Sequence, residues 1–200
     1  MLLNSKKAIR LTKSDLRREF RAARRAFVAG VDSTRRTGLE QALADQVAPM
    51  LQAVVIVGSY AAVADEIDPA WIEKRVGSHA FPRVSGSDIS YHAARRHDLR
   101  PGFQGIPEPP ATTPLVEPDL LLVPLIAVTL SGVRLGQGRG YYDRALAGLH
   151  AAAVQRDRPL LAIGVAWECQ IAACLPADPW DMPLDMIATP ERLVDCRKPR

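Results

Sequence analysis

Asp119–Val128 reads DLLLVPLIAV, and the architecture turns on this run. A stretch this apolar, with no alternation of polar residues, is the pattern of a strand buried on both faces, as in parallel sheets. Ala53–Tyr60, AVVIVGSY, has the same character with more β-branched residues, and Pro159–Ala166 is a third such run. His79–Val84, Ile89–Ala93 and Met186–Thr189 are expected to be shorter strands. Helical periods lie between them. Thr12 or Ser14 can cap a helix with Leu16, Phe20, Ala23 and Phe27 on one face, ended by Gly30. A second helix is expected over Ser33–Leu51, a short one from Asp68-Pro69 toward Val76, and a fourth over Tyr141–Gln155.

Helices alternating with such strands predict an α/β fold: a three-layer α/β/α sandwich around a largely parallel, Rossmann-like sheet, of the kind also built by sugar-phosphate isomerases and CoA-transferases. Ligands of these sheets bind beyond the carboxyl ends of strands, which points to the segments after Tyr60, Val128 and Ala166. His97–Pro118, rich in Pro, Gly and Thr, is expected to be a long surface loop lying over a ligand, and Pro176–Pro183 a second loop.

At 200 residues, 48% hydrophobic and 24% charged, the chain has the size and composition of one domain spanning 1–200, with 1–11 as a flexible extension. Cys169, Cys174 and Cys196 have neither C-x-x-C spacing nor a nearby histidine, so a disulfide framework and a zinc site are both disfavoured. No apolar run is long enough to span a bilayer, and the N-terminus lacks the apolar centre of a secretory signal. The expectation is a cytoplasmic monomer without membrane partners. The net charge of +4 comes largely from a basic run between Lys6 and Arg36. Without a recognised nucleic-acid module this run reads as a charged helix face, and no nucleic-acid partner is expected.

The chemistry is concentrated in Arg134–Asp143, RLGQGRGYYD. Gly136, Gly138 and Gly140 let backbone amides approach an anion closely. The helix that follows adds unpaired N–H groups and the positive end of its dipole, and Arg134 and Arg139 add bidentate donors. Asp143, in the first helical turn, can either stabilise that turn or hold Mg²⁺ against phosphate oxygens. The loop is not a Rossmann fingerprint, which would need glycine at Tyr141 or Asp143. Nor is it a Walker A loop, which needs Gly-Lys-Ser/Thr.

In this loop the sequence resembles the 5-formyltetrahydrofolate cyclo-ligase (methenyltetrahydrofolate synthetase) family, whose signature R-L-G-x-G-x-G-[YF]-Y-D it matches at every fixed position. The resemblance extends along the chain: Lys13-Ser-Asp-Leu-Arg17, Asp65-Glu-Ile-Asp68, Phe81-Pro-Arg-Val84, Gly105-Ile-Pro-Glu-Pro109, then Gln170, Leu175-Pro176, Asp181, Asp185 and Thr189. Val128-Thr129, Trp167 and Trp180 replace the family's usual Phe-Asp, Tyr and His.

The resemblance implies an ATP- and Mg²⁺-dependent cyclisation of 5-formyltetrahydrofolate to 5,10-methenyltetrahydrofolate, releasing ADP and phosphate. It implies that Lys13, Arg17, Arg134, Leu135, Gly136, Gln137, Gly138, Arg139, Gly140, Tyr141 and Tyr142 bind ATP, with Lys13 and Arg139 catalytic. Ala61, Glu66, Gly138, Arg139 and Tyr141 would contact the folate, and Asp143 and Asp181 would hold Mg²⁺. The alternatives are a sugar-phosphate isomerase or CoA-transferase on the same fold, or a non-catalytic nucleotide- or RNA-binding relative.

Overall fold

The computed structural model describes residues 11–197, so the expectation for 1–11 falls, Leu11 apart, outside the described residues. Helix α1 spans Lys13–Ala29. Thr12 caps it through a reciprocal box with Asp15, its side chain accepting from the Asp15 N–H while the Asp15 carboxylate accepts from the Thr12 N–H. Helix α2, Ser33–Val47, is capped by Asp32. It ends short of the expected Leu51 because Pro49, which cannot donate a backbone hydrogen bond, turns Ala48–Leu51 into a 3-10 turn.

Strand β1 (Val57–Gly58), helix α3 (Ala70–Glu73), and strands β2 (His79–Ser85) and β3 (Asp88–Ala93) come next. Only two of the residues expected to extend from Ala53 to Tyr60 join a ladder. The N–H groups of Val55 and Ile56 are instead taken by Asp119 Oδ2, each at 3.1 Å, so the chain enters the sheet late. The expected loop from His97 carries its own small ladder, β4 (Arg100–Pro101) with β5 (Pro107–Glu108).

The decisive run divides. Strand β6 is Leu120–Pro124 and strand β7 is Ala127–Thr129, and they lie in different sheets. Proline can end a ladder but not continue one as a donor. The carbonyls exposed by the break are recovered by buried Gln170, whose Nε2 donates to Leu125 O (2.8 Å) and Ile126 O (3.1 Å). Strand β8 (Arg134–Leu135), helix α4 (Tyr141–Arg156) and strands β9 (Leu161–Val165), β10 (Ile171–Ala172), β11 (Met186–Ala188) and β12 (Leu193–Asp195) complete the order.

The main sheet runs β12-β11-β9-β6-β1-β2-β3. Its five inner strands pair in parallel, and β12 and β3 are antiparallel edges. Alternation within β6 sorts the core: Leu120 and Leu122 pack with Leu43 and Val47 of α2, whereas Leu121 and Val123 pack with Leu146 and Ala153 of α4. The result is the expected three layers, and β7, β8 and β10 form a small second sheet beside them. Among the described residues, no helix is long and apolar enough to cross a membrane.

Candidate active site

A cavity of about 710 Å³ opens beyond the carboxyl ends of β1 and β6, and every residue assigned to a site from the sequence lines it. One wall is α1. Lys13, Arg17, Arg21 and Arg24 recur at three- and four-residue intervals, so their side chains share one face. Lys13 Nζ donates to Asp178 Oδ2 at 2.7 Å and to Asp181 Oδ2 at 2.5 Å. Partial burial works against its charge, but the hydrogen bonds and charges of the two carboxylates outweigh that and raise its pKa. The same contacts, with the Asp178 N–H, hold Asp181 below the usual carboxylate range despite its own desolvation.

One turn on, Arg17 Nε donates to Gly136 O at 2.8 Å, and its guanidinium lies directly under Gly138. A Cβ at Gly138 would come within 3.1 Å of Arg17 Cζ, a contact that shifts the guanidinium slightly, and its φ of +96° is the backbone conformation that favours glycine. Gly140, with φ of +67°, ends the loop and directs α4. No side chain caps the first turn of α4, which leaves its N–H groups for a ligand at the cavity wall.

Arg134 is almost wholly buried. It donates to Asp143 Oδ1 at 2.5 Å and to the Met182 carbonyl. In this geometry it orients Asp143, which also accepts the Met182 N–H at 3.1 Å. Leu135, 2% exposed, contributes only wall. Arg139 is exposed, with its guanidinium 5.5 Å from the Phe103 ring, and Phe103 stands edge-on to Tyr141 at 6.2 Å. Phe103, Gln104 and Ile106 thus bring the His97–Pro118 segment to the rim, with Gln104 at a strained φ of +55°.

Ala61 and Glu66 line the opposite end. Burial pushes the Glu66 carboxyl up; the Val63 N–H, donating to Oε2 at 3.1 Å, and the Arg24 charge pull against it without prevailing. Arg24 Nε itself is paired with Asp65 Oδ2 at 2.9 Å. Burial also raises the pKa of Tyr142, which packs against the α4 side of the core.

The other two switch points fare differently. After the main-sheet strand the cavity is reached at Pro124, because β6 ends there; Thr129 is closed into a turn by Ser131 Oγ (2.9 Å) and the Val133 N–H (3.2 Å). After Ala166 the chain is core. Trp167 is 1% exposed, 5.4 Å from the Phe27 ring, and its Nε1 donates to Asp65 O. Trp180, 70% exposed, does line the cavity. Sequence reasoning passed over Arg21, Arg24 and Asp178. The helical spacing from Lys13 would have found the two arginines, whereas Asp178 carries no signal beyond its distance from Asp181.

Among the described residues no group of three His, Cys, Asp or Glu side chains could hold a metal ion. Asp143 and Asp181 each use one oxygen in the contacts above, and the second oxygen of each accepts no hydrogen bond among the described residues. Two such carboxylates fit Mg²⁺, which commonly takes one or two carboxylates and completes its shell with substrate phosphates and water.

A family model described as the 5-formyltetrahydrofolate cyclo-ligase family matches residues 9–190. The chain is 38% identical over 80 residues to the 5-formyltetrahydrofolate cyclo-ligase of Escherichia coli (strain K12), covering 40% of this chain and 41% of that protein. It is 40% identical over 93 residues to the enzyme of that name from Mycolicibacterium smegmatis, covering 46% and 44% respectively. The matches therefore span less than half the length of these curated relatives. An NMR structure of Aquifex aeolicus 5,10-methenyltetrahydrofolate synthetase superposes with a TM-score of 0.75 at 30% identity, covering 95% of each chain.

Proposed function

The chain belongs to the 5-formyltetrahydrofolate cyclo-ligase family, and we propose that it catalyses the ATP-dependent cyclisation of 5-formyltetrahydrofolate to 5,10-methenyltetrahydrofolate, releasing ADP and phosphate. The observation that carries this reading is the division of one cavity into two chemically different ends. Lys13, Arg17, the glycine loop and the open N-terminus of α4 suit a triphosphate. Glu66, a largely desolvated carboxyl between Val63 and Arg24, suits the N–H donors of a pterin.

In this reading Lys13 exchanges its two carboxylate partners for phosphate oxygens when ATP enters. Arg17, from α1, and Arg139, from the glycine loop, neutralise charge on the phosphoryl group. The formyl oxygen bonds to the γ-phosphorus as the bond to ADP breaks. N10 then bonds to the activated formyl carbon, loses its proton, and phosphate leaves. Bound Mg²⁺, held by Asp143 and Asp181, would neutralise the β- and γ-phosphates. Arg134 keeps the Asp143 carboxylate turned toward the cavity. The enzyme acts on small molecules, as a cytoplasmic monomer.

Purified protein with 5-formyltetrahydrofolate and Mg²⁺ is expected to build up the near-ultraviolet absorbance of the methenyl product only when ATP is added. Folded protein that gives no ATP-dependent change rules the reading out.

A further inference from the structure

Among the described residues, six carboxylates line the cavity. Asp65, Asp143, Asp178 and Asp181 are each hydrogen-bonded to a cation, at distances between 2.5 and 2.9 Å. Glu66 and Glu108 are not. They share one arrangement: a backbone N–H donates to one oxygen, and a guanidinium stands just beyond hydrogen-bonding reach of the other. For Glu66 these are the Val63 N–H at 3.1 Å and Arg24 Nη1 at 3.9 Å. For Glu108 they are the Val84 N–H at 3.3 Å and Arg83 Nη1 at 3.7 Å. Arg83 Nη1 is committed elsewhere, donating to the Pro109 carbonyl at 2.7 Å. Glu66 has a ligand in the function proposed above, and Glu108 has none.

Glu108 is only 5% exposed, and a carboxylate so far from water is costly unless donors meet its oxygens. The Val84 N–H meets Oε1, whereas Oε2 accepts no hydrogen bond among the described residues. The fold keeps space for that oxygen. A Cβ at Gly102 would stand 2.4 Å from Oε2 and 2.5 Å from Cδ, so any side chain there would push the carboxylate out of place. Around it the cavity wall is apolar: Pro82 and Val84 of β2, Ile89 of β3, and Ile106 and Pro107 at β5. An apolar wall with one buried acceptor suits an aromatic ring that carries an N–H.

We propose that Glu108 is a second substrate-recognition residue, whose Oε2 accepts an N–H from the p-aminobenzoyl-glutamate part of the folate while the apolar wall takes its ring. The donor is N10–H or the N–H of the glutamate amide. The identity of this ligand rests on the function proposed above. Four of the cavity's carboxylates then balance its cations, and the remaining two, Glu66 and Glu108, read the N–H donors of one substrate.

Glu108→Gln tests this. The Val84 N–H holds the amide oxygen, so an NH₂ group replaces Oε2 and meets the ligand's N–H donor to donor. Calorimetry with 5-formyltetrahydrofolate, in the absence of nucleotide, is expected to show binding weakened about 10-fold or more. KM for ATP and the melting temperature should stay near the wild-type values. Repeating the titration with 5-formyltetrahydropteroate, which lacks the amide, separates the two donors: a loss that persists assigns N10–H, and a loss that vanishes assigns the amide. Equal folate binding by wild type and Glu108→Gln overturns the proposal. So does a lowered melting temperature with equal losses for folate and ATP, because Glu108 would then only prop the His97–Pro118 segment against β2. A wild type that binds the folate through Glu108 but never cyclises it defeats the proposed reaction alone, and one that binds no folate defeats both.

Discussion

Lys13 Nζ lies 2.5 Å from Asp181 Oδ2, and Asp178 Oδ2 holds the same ammonium at 2.7 Å. The cation proposed to serve ATP and a carboxylate proposed to serve Mg²⁺ thus neutralise each other. Under the proposed function, a nucleotide phosphate at Lys13 has to displace both carboxylates from the ammonium. Asp178 is the member of the trio with no assigned ligand, and it competes with phosphate for Lys13. Asp178→Asn is expected to tighten ATP binding about two- to five-fold, with little change in stability because the pair is partly exposed. Titration calorimetry with Mg-ATP checks it, and weaker binding would make Asp178 a supporting residue instead.

Glu66 gives a pH signature. Its pKa is raised in the folded protein, so below the unfolded value of about 4.5 both states hold the proton and the group is neutral in its effect. As pH rises from that value toward the raised folded value, the unfolded state gives up its proton while the folded state keeps it, so stability falls, and it levels off above the folded value. Glu66→Gln is therefore expected to be no more stable than wild type at pH 4 but more stable at pH 7. It should also lose about 10- to 100-fold in kcat/KM for the folate. Urea denaturation at the two pH values decides the first point; an advantage that is equal at both would refute it.

Gly138→Ala tests the contact between the loop and α1. The new Cβ meets Arg17 and demands a left-handed backbone of alanine, at a cost of about 1–2 kcal/mol. Displacement of Arg17 is expected to raise KM for ATP. In a double-mutant cycle with Arg17→Ala the two losses should be strongly sub-additive; additive losses would separate the glycine from the arginine.

Gln170 is expected to matter for folding and not for chemistry. Gln170→Leu would orphan the Ile126 carbonyl and the Trp167 N–H, which Oε1 now accepts at 2.9 Å, and leave the Leu125 carbonyl only its longer contact with Arg24 Nη1 at 3.3 Å. Loss of about 2–4 kcal/mol is expected, seen as a melting temperature lower by roughly 4–16 °C. Turnover per folded molecule should persist.

Gln170 also marks where the sequence stops being legible. The apolar character of Asp119–Val128 is enough to place a buried strand, and period-2 patterning divides its residues between two cores. Pro124 marks where a ladder can end, but nothing in the run says that the chain goes on into a second sheet, because the Ile126 carbonyl is satisfied there by a glutamine forty-four residues away. The same holds for Val55 and Ile56, whose N–H groups are met by a side chain, Asp119. The residues that line the cavity were readable, since glycines, arginines and acids declare their chemistry locally. The pairing of those charges was not readable. Which cations are balanced and which are free follows from distances between Lys13, Asp178 and Asp181, or between Arg134 and Asp143, and these belong to the tertiary structure.

The most direct test of the account follows methenyl product by its near-ultraviolet absorbance and phosphate release in the same reaction, with wild type, Arg139→Ala and Asp143→Ala. The wild type should release one phosphate for each methenyl group formed, and only when both ATP and 5-formyltetrahydrofolate are present. Both variants should lose about 100-fold or more in turnover per folded molecule, and Asp143→Ala should also be less stable, because it leaves buried Arg134 without its carboxylate. Phosphate release independent of folate, or a folded wild type that forms no methenyl product, would contradict the assignment of this cavity to ATP-driven ring closure.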